Sequence, residues 1–227
     1  MFRHIKFLGY FITLGDLAYY AYSDKNKKDI EFNPTTNSEL CFDFNVNPTT
    51  CLINQEIEPG IWCFTKEFSY EHSNTINSCE AIHKFLQDSK FSGRLNAVAD
   101  YTGRSKRSSS TKTDWQIIET RFKQYPHFEL NGSPNPLVKD RVMCINNTFE
   151  SSSGKIRQFV NAKECKFLDT DLITQNWNST RTGLNDKGGL IGHKSDAAGY
   201  FSVKHFNTDM IFDDITNTSA VTTSSGW

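Results

Sequence analysis

The segment QYPHFELNGSPNPLVKDRVMC covers residues 124–144, and the polar side chains in its first part alternate as they do along a strand. Tyr125, His127 and Glu129 occupy every second position, and Arg141 follows Glu129 by twelve residues. Since alternate side chains of a strand point to the same face, the pattern predicts a phenol, an imidazole and a carboxylate in one row. Arg141 would then lie on the neighbouring strand and bring a guanidinium to the same surface.

The composition predicts a compact β-rich core with polar extensions. Only 37% of the 227 residues are hydrophobic, and the 18 Phe and 8 Tyr are concentrated in short segments. The formal net charge is −1, from 25 basic and 26 acidic residues. No overall field would therefore attract a polyanion, and nucleic-acid binding would have to rest on a local patch.

The densest basic patch is GRSKRSSSTK, at residues 103–112. Three interpretations remain open for it. It can be a solvated loop, a dibasic processing site at Lys106-Arg107, or a loop that contacts nucleic-acid phosphates.

The N-terminus has the features of a signal peptide. Basic residues precede the apolar run Phe7–Leu14, and small residues at Ala21 and Ser23 predict cleavage before Asp24. An amphipathic helix or a buried strand is the alternative for residues 1–23. No other segment approaches the roughly 18 apolar residues that span a membrane. Four N-x-S/T sequons also fit a secreted protein, and they begin at Asn131, Asn146, Asn178 and Asn217.

The six cysteines agree with secretion, because their number is even and no C-x-x-C spacing indicates a metal site. Six cysteines allow 15 pairings, among which the sequence alone does not choose. They are Cys41, Cys51, Cys63, Cys79, Cys144 and Cys165. The first two could close a small hairpin around Phe42.

The chain divides by composition into a leader at 1–23, a polar segment at 24–58, a core at 59–170 and a Gly-, Asn-, Ser- and Thr-rich extension at 171–227. Apolar residues at three- and four-residue steps between Ile76 and Leu86 predict a helix. The strands predicted after it are Trp115–Phe122, Tyr125–Leu130, Arg141–Asn146, Lys155–Val160 and Cys165–Leu168. The expected fold class is α+β, with one helix packed on an antiparallel sheet.

The order of short motifs resembles the small guanyl-specific ribonucleases of fungi. It is closer still to the ribonuclease-like secreted effectors of powdery mildew fungi, whose mature chains begin near an aromatic-x-Cys motif. The resemblance covers residues 59–170. The matching residues are Ile61-Trp62-Cys63, Tyr125-Pro126-His127, Gly132-Ser133-Pro134, Asp140-Arg141-Val142 and Glu164–Leu168.

The resemblance implies a catalytic role for four residues. His127 would be the imidazole beside the 2′-hydroxyl, Tyr125 a phosphate hydrogen-bond donor and Arg141 the phosphate clamp. Glu129 could replace the family's glutamate, which is missing, and residues 142–165 contain no histidine to act as the general acid. The resemblance also implies a Cys63–Cys165 disulfide. Cys79–Cys144 and Cys41–Cys51 are then the remaining pairs.

Three hypotheses of function follow. The first is a secreted virulence effector with an inactive ribonuclease-like fold, which binds a host plant protein or RNA and is recognised by a plant immune receptor. It would be a monomer that does not bind membranes, and delivery into the host cytoplasm would follow secretion. The second is an active ribonuclease that uses His127, Glu129 and Arg141, and the third is an extracellular glycosylated binding module. No cofactor or metal is expected in any of them.

Overall fold

A computed structural model describes residues 6–7, 10–11, 17–44, 49–70, 74–106, 111–185 and 192–206. Arg107, the Asn217 sequon and the end of the predicted extension lie outside the described residues. The strands are β1 (Lys6–Phe7), β2 (Tyr10–Phe11), β3 (Ser38–Phe44), β4 (Thr49–Glu58), β5 (Ile61–Tyr70), β6 (Leu95–Ala99), β7 (Glu129–Asn131) and β8 (Gln158–Val160). The helices are α1 (Thr75–Asp88), α2 (Asp114–Phe122), α3 (Val138–Phe149), α4 (Lys166–Thr174) and α5 (His193–His205).

A six-stranded mixed sheet forms the centre of the molecule, in the order β7-β6-β3-β4-β5-β8. Three consecutive strands, β3, β4 and β5, form an antiparallel meander. The strands added on either side of the meander, β6, β7 and β8, run parallel to their neighbours. Parallel neighbours need crossover connections, which the helices supply.

Helices cover both faces of this sheet. On one face, α1 and α2 bury a core that contains Phe42, Ile82 and Phe122. On the other face, α3, α4 and α5 bury a second core that contains Ile145 and Phe201. The molecule therefore has three layers, and α5 lies over the middle of the sheet, against β3, β4 and β6.

The prediction of mixed helices and strands holds in general, but a single helix on an antiparallel sheet is wrong. The segment Trp115–Phe122 forms α2, since Trp115, Ile118 and Phe122 are buried at helical steps and Thr113 caps the first turn. Arg141–Asn146 belongs to α3, for which Val142 begins a similar buried stripe. Most of the segment Cys165–Leu168 belongs to α4.

The segments predicted as polar extensions contribute to this core. Residues 24–58 contain β3 and β4, which lie at the centre of the sheet. Helix α5 comes from the predicted extension, and Phe201 on it is fully buried. The predicted leader also reaches the core, where Tyr19 is fully buried. Among the helices of the described residues, none is long and apolar enough to cross a bilayer.

The predicted disulfides are wrong, because all six cysteines are free and buried. Cys41 belongs to the core under α5, whereas Cys51 belongs to the core under α1. Cys144 and Cys79 are separated by the sheet in the same way.

The third predicted pair is also divided by the sheet. Cys63 precedes Phe64, whose side chain is on the α5 face, so that Cys63 points to the opposite face, while Cys165 lies on the α5 side. Each predicted bond would therefore have to pass through the sheet.

Candidate active site

Two aspartates lie side by side at one end of the sheet. The parallel strands β3 and β6 pair with Phe42 opposite Ala99, and the next residues are Asp43 and Asp100. The Asp100 N–H donates to the Phe42 carbonyl over 3.2 Å, which fixes this register. Both side chains are buried. Their alternation with Cys41 and Val98, which belong to the α5-side core, places both carboxyls on the α5 face.

A third aspartate comes from α5. Asp196 lies in the first turn of this helix and keeps 29% of its side-chain surface exposed. The start of α5 is fixed by Asp171 of α4, whose Oδ2 accepts hydrogen bonds from the N–H groups of Lys194 and Ser195 at 3.0 and 3.1 Å. This acceptor takes the place of an N-cap side chain, because the residue before the helix is Gly192.

Asp43 interacts electrostatically with both of the other carboxyls. Burial raises the pKa of Asp43, the hydrogen bond to His193 opposes that rise, and the charge of Asp100 adds to it. Burial likewise raises the pKa of Asp196 to about 6. The charge of Arg141 opposes this rise, and the charge of Asp43 adds to it. We call Asp43, Asp100 and Asp196 the carboxylate cluster.

The pKa of Tyr200 is affected by the same three carboxyls. Its pKa is raised first by burial and then by all three aspartates, while Arg141 lowers it. Tyr200 lies one helical turn after Asp196 on α5.

Two cationic groups balance the carboxylate cluster. Arg141 Nη2 lies 2.5 Å from Asp196 Oδ1, and the guanidinium carbon is 4.9 Å from the Tyr200 ring centroid. His193 Nδ1 lies 3.2 Å from Asp43 Oδ2, and this hydrogen bond is the main cause of a raised His193 pKa. Burial disfavours the Arg141 charge, but Asp196, Tyr200, Tyr19 and Asp43 together outweigh burial, so that the Arg141 pKa is raised.

Asp100 is held by a fixed hydrogen-bond frame. Its Oδ1 accepts from the Thr102 N–H at 2.8 Å and from Asn135 Nδ2 at 2.6 Å. The Asn135 Oδ1 in turn accepts from the Tyr101 N–H at 2.9 Å. The indole of Trp115 donates to the Asp100 carbonyl, also at 2.9 Å. The carboxylate of Asp100 is therefore oriented before any ligand binds.

The donor set of the cluster suits a hard divalent cation. Three carboxylates are the oxygen ligands that Mg²⁺ and Mn²⁺ prefer. A cation among them would also relieve the repulsion and burial that raise the pKa values of Asp43 and Asp196. In the arrangement described, no group of three or more His, Cys, Asp and Glu side chains from the described ranges is placed to hold a metal. Asp196 is paired with Arg141, and Asp43 is hydrogen-bonded to His193.

The four residues predicted from the sequence are not brought together in one row. Tyr125 and His127 lie in a turn before β7, and His127 is exposed with a φ of 58°. The Tyr125 hydroxyl lies 3.0 Å from His83 Nδ1. Glu129 is exposed on β7, 3.8 Å from Arg94. Arg141 alone of the four contacts the carboxylate cluster.

Sequence reasoning missed the three aspartates. A usable signal was present, because SELCFDF and LNAVAD are buried strands that each end near an aspartate. Parallel neighbouring strands bring such ends to one edge of a sheet, where ligands bind. No comparable signal was available for Asp196, since its approach depends on how α5 crosses the sheet.

Comparisons with known proteins show the fold. No family model matches the chain, and no curated protein matches it. The large terminase of a thermophilic bacteriophage matches with a TM-score of 0.61 at 17% identity, over 83% of this chain and 45% of that one. The large terminase nuclease of the thermophilic phage G20c matches with a TM-score of 0.56 at 9% identity, over 85% of this chain and all of that one.

The chain thus has a fold found in phage large terminases, and it spans about 45% of the first of these two proteins. The G20c protein, a terminase nuclease, is covered over its whole length, so that its entire chain is included in the structural match.

These matches overturn the resemblance to guanyl-specific ribonucleases and to powdery mildew effectors. The three functions predicted from the sequence are wrong for the same reason. They were a secreted effector, a ribonuclease based on His127 and a glycosylated binding module. The short motifs that carried the resemblance lie on different elements here, since Asp140-Arg141-Val142 is in a helix and Tyr125-Pro126-His127 is in a turn.

Proposed function

We propose that this chain is a nuclease that hydrolyses phosphodiester bonds of nucleic acid with the help of divalent cations. The single observation that carries the proposal is the convergence of Asp43, Asp100 and Asp196 at one end of the sheet, in a fold shared with a terminase nuclease. Paired buried carboxyls with raised pKa values are typical of functional sites.

Asp43, Asp100 and Asp196 would hold the cation. When bound, Mg²⁺ or Mn²⁺ activates water and stabilises the charge that develops on the phosphate. The chain's own groups prepare the site. Thr102 and Asn135 orient Asp100. The imidazole of His193 is hydrogen-bonded to Asp43 and would be displaced when a cation competes for that carboxylate.

An exposed cation four residues after Asp100 supports binding of the phosphate backbone. Arg104 ends the short 3-10 helix that follows Asp100. Its guanidinium carbon lies 4.1 Å from the Trp115 ring centroid and 4.8 Å from that of Tyr101. Stacking on two rings holds the planar group in place, and its donors suit phosphate oxygens.

The test is cleavage of duplex DNA, single-stranded DNA and RNA by the purified chain. We expect cleavage in Mg²⁺ or Mn²⁺ and its loss in EDTA. Asp100→Asn should abolish cleavage, because the amide keeps the shape but not the charge. Asp88→Asn is the matched control, since Asp88 is on α1 and pairs with Lys84. Cleavage that persists in EDTA, or in Asp100→Asn, would refute the proposal.

A further inference from the structure

A cavity of about 300 Å³ opens next to the carboxylate cluster. Its walls come from the end of β6, from the loop after β7 and from α5. The lining includes Val98, Ser133, Pro136, Tyr200, Val203 and Lys204. We call this space the side cavity. Its volume is at the lower end of the range for pockets that enclose small organic groups.

Several residues that line the side cavity adjoin the proposed active site. Val98 lies two residues before Asp100 on the same face of the sheet, and Tyr200 lies four residues, about 6 Å along the α5 axis, from Asp196. Asn135 also lines the cavity while its amide donates to Asp100. A group attached to a phosphate at the cluster would therefore reach the cavity.

The walls of the cavity are preformed. A Cβ at Gly132 would come within 2.5 Å of the Trp115 ring, so that this loop rests directly on the indole. Trp115 is itself held by its hydrogen bond to the Asp100 carbonyl. Tyr200, on the opposite wall, is buried beside the Arg141 guanidinium.

The chemistry of the walls favours a neutral planar group over an anion. Lys204 is the cation at the cavity, and its ammonium is paired with the carboxylate of Glu39. The aliphatic surfaces of Val98, Pro136 and Val203 and the ring of Tyr200 supply apolar contact. The Ser133 hydroxyl and the peptide groups of the loop supply hydrogen-bonding atoms at the edge. A nucleobase has this combination of an apolar face and a polar edge.

We propose that the side cavity binds one unpaired nucleobase of the strand being cut, next to the phosphate at the carboxylate cluster. The inference rests on the proposed nuclease function. It adds that cleavage requires a base at one fixed position near the cut, whereas the rest of the substrate is held by its backbone.

The test uses oligonucleotides that are identical except for an abasic site placed at successive positions around the cut. With the wild-type chain, removing one base beside the cut should lower the cleavage efficiency about 10-fold, because stacking and pocket contacts are lost. Abasic sites elsewhere should have little effect. Val203→Trp fills the cavity, so it should cut the intact strand as slowly as the abasic one and show no further loss. Met143→Trp, at an exposed position on α3, is the matched control.

Two further arms keep the outcomes distinct. Ser133→Trp fills the same cavity from the exposed loop, in case Val203→Trp does not fold. Binding of an oligonucleotide carrying 2-aminopurine to Asp43→Asn reports base capture without cleavage. Cleavage with no dependence on any single base would overturn the cavity proposal and leave the nuclease intact. If the 2-aminopurine fluorescence changes on binding, both Trp variants remove that change, and the wild-type chain does not cleave, the cavity proposal is supported and the nuclease proposal is refuted.

Discussion

Arg141 of α3 reaches Asp196 by passing over Gly199 of α5. A Cβ at position 199 would lie 2.2 Å from Arg141 Cγ and 2.4 Å from its Cδ. The ion pair between Arg141 and Asp196, at 2.5 Å, therefore depends on the absence of a side chain at this point of α5. Packing of the two helices and charge balance of the carboxylate cluster are fixed by the same contact.

Gly199→Ala tests this contact. The methyl group would push the Arg141 side chain away, and we expect the free energy of unfolding to fall by about 1–3 kcal/mol, as for other overpacked sites. Denaturant unfolding measures the change. Gly183→Ala is the control, because a Cβ there meets its nearest neighbour at an ordinary 3.5 Å. Equal stability of the two variants would show that Arg141 does not cross α5 as described.

Asp171 is expected to position Asp196 through the start of α5. Asp171→Ala removes the acceptor for two helix N–H groups and should cost about 1 kcal/mol, the usual cost of a lost cap. The cleavage rate should fall by more than the loss of folded protein explains, because Asp171 holds the start of α5, the helix that carries Asp196. Asp171→Asn, which keeps an acceptor oxygen, should restore most of the cleavage. If it does not, the carboxylate charge matters rather than the cap.

Glu39 links α5 to β3 through a buried carboxylate. Burial would raise the Glu39 pKa, but the hydrogen bond with His205 at 2.6 Å and the charge of Lys204 lower it below 4.5. A carboxyl with a depressed pKa stabilises the fold above its unfolded pKa, and this contribution is lost as the pH falls through the folded value.

Glu39→Gln should therefore destabilise the protein by about 1–3 kcal/mol at pH 7, the usual range for a lost hydrogen bond to a charged group, and the difference should shrink below pH 4.5. Unfolding measured across this pH range gives the answer. Glu164→Gln, which breaks the exposed pair with Lys66, should cost less than about 1 kcal/mol. A difference between wild type and Glu39→Gln that grows on acidification would contradict this assignment.

Arg104 is expected to contact a backbone phosphate. Arg104→Gln should weaken binding to all sequences about equally and reduce the slope of log K against log salt by about 1. Titrations at several salt concentrations, with Asp43→Asn to prevent cleavage, measure the slope. Arg157→Gln serves as a comparison, because Arg157 precedes β8 at the other edge of the sheet. An unchanged slope would remove Arg104 from the binding surface.

Local patterns predict part of this structure. The helix expected between Ile76 and Leu86 is α1, since its apolar stripe is unambiguous. The hairpin expected around Phe42 corresponds to β3 and β4, which pair antiparallel there. The strand predicted at Trp115–Phe122 is wrong, because the apolar residues of this segment have helical spacing and are buried on one face of α2.

The carboxylate cluster is less predictable. Asp43 and Asp100 meet through the parallel register of β3 and β6, which are separated by a meander and a helix. Each strand shows an aspartate at its end, but the pairing that brings the two aspartates together is set by tertiary packing. Arg141 is recognisable as a candidate, but its partner Asp196 lies 55 residues away in sequence on another helix.

The clearest single experiment compares Asp43→Asn with His127→Asn in one DNA cleavage assay with Mg²⁺. Asparagine is chosen at position 127 because it tolerates the positive φ of this residue. We expect Asp43→Asn to abolish cleavage while His127→Asn cleaves like the wild type. Loss of cleavage in His127→Asn with activity retained in Asp43→Asn would refute the carboxylate site and place the active site in the turn before β7.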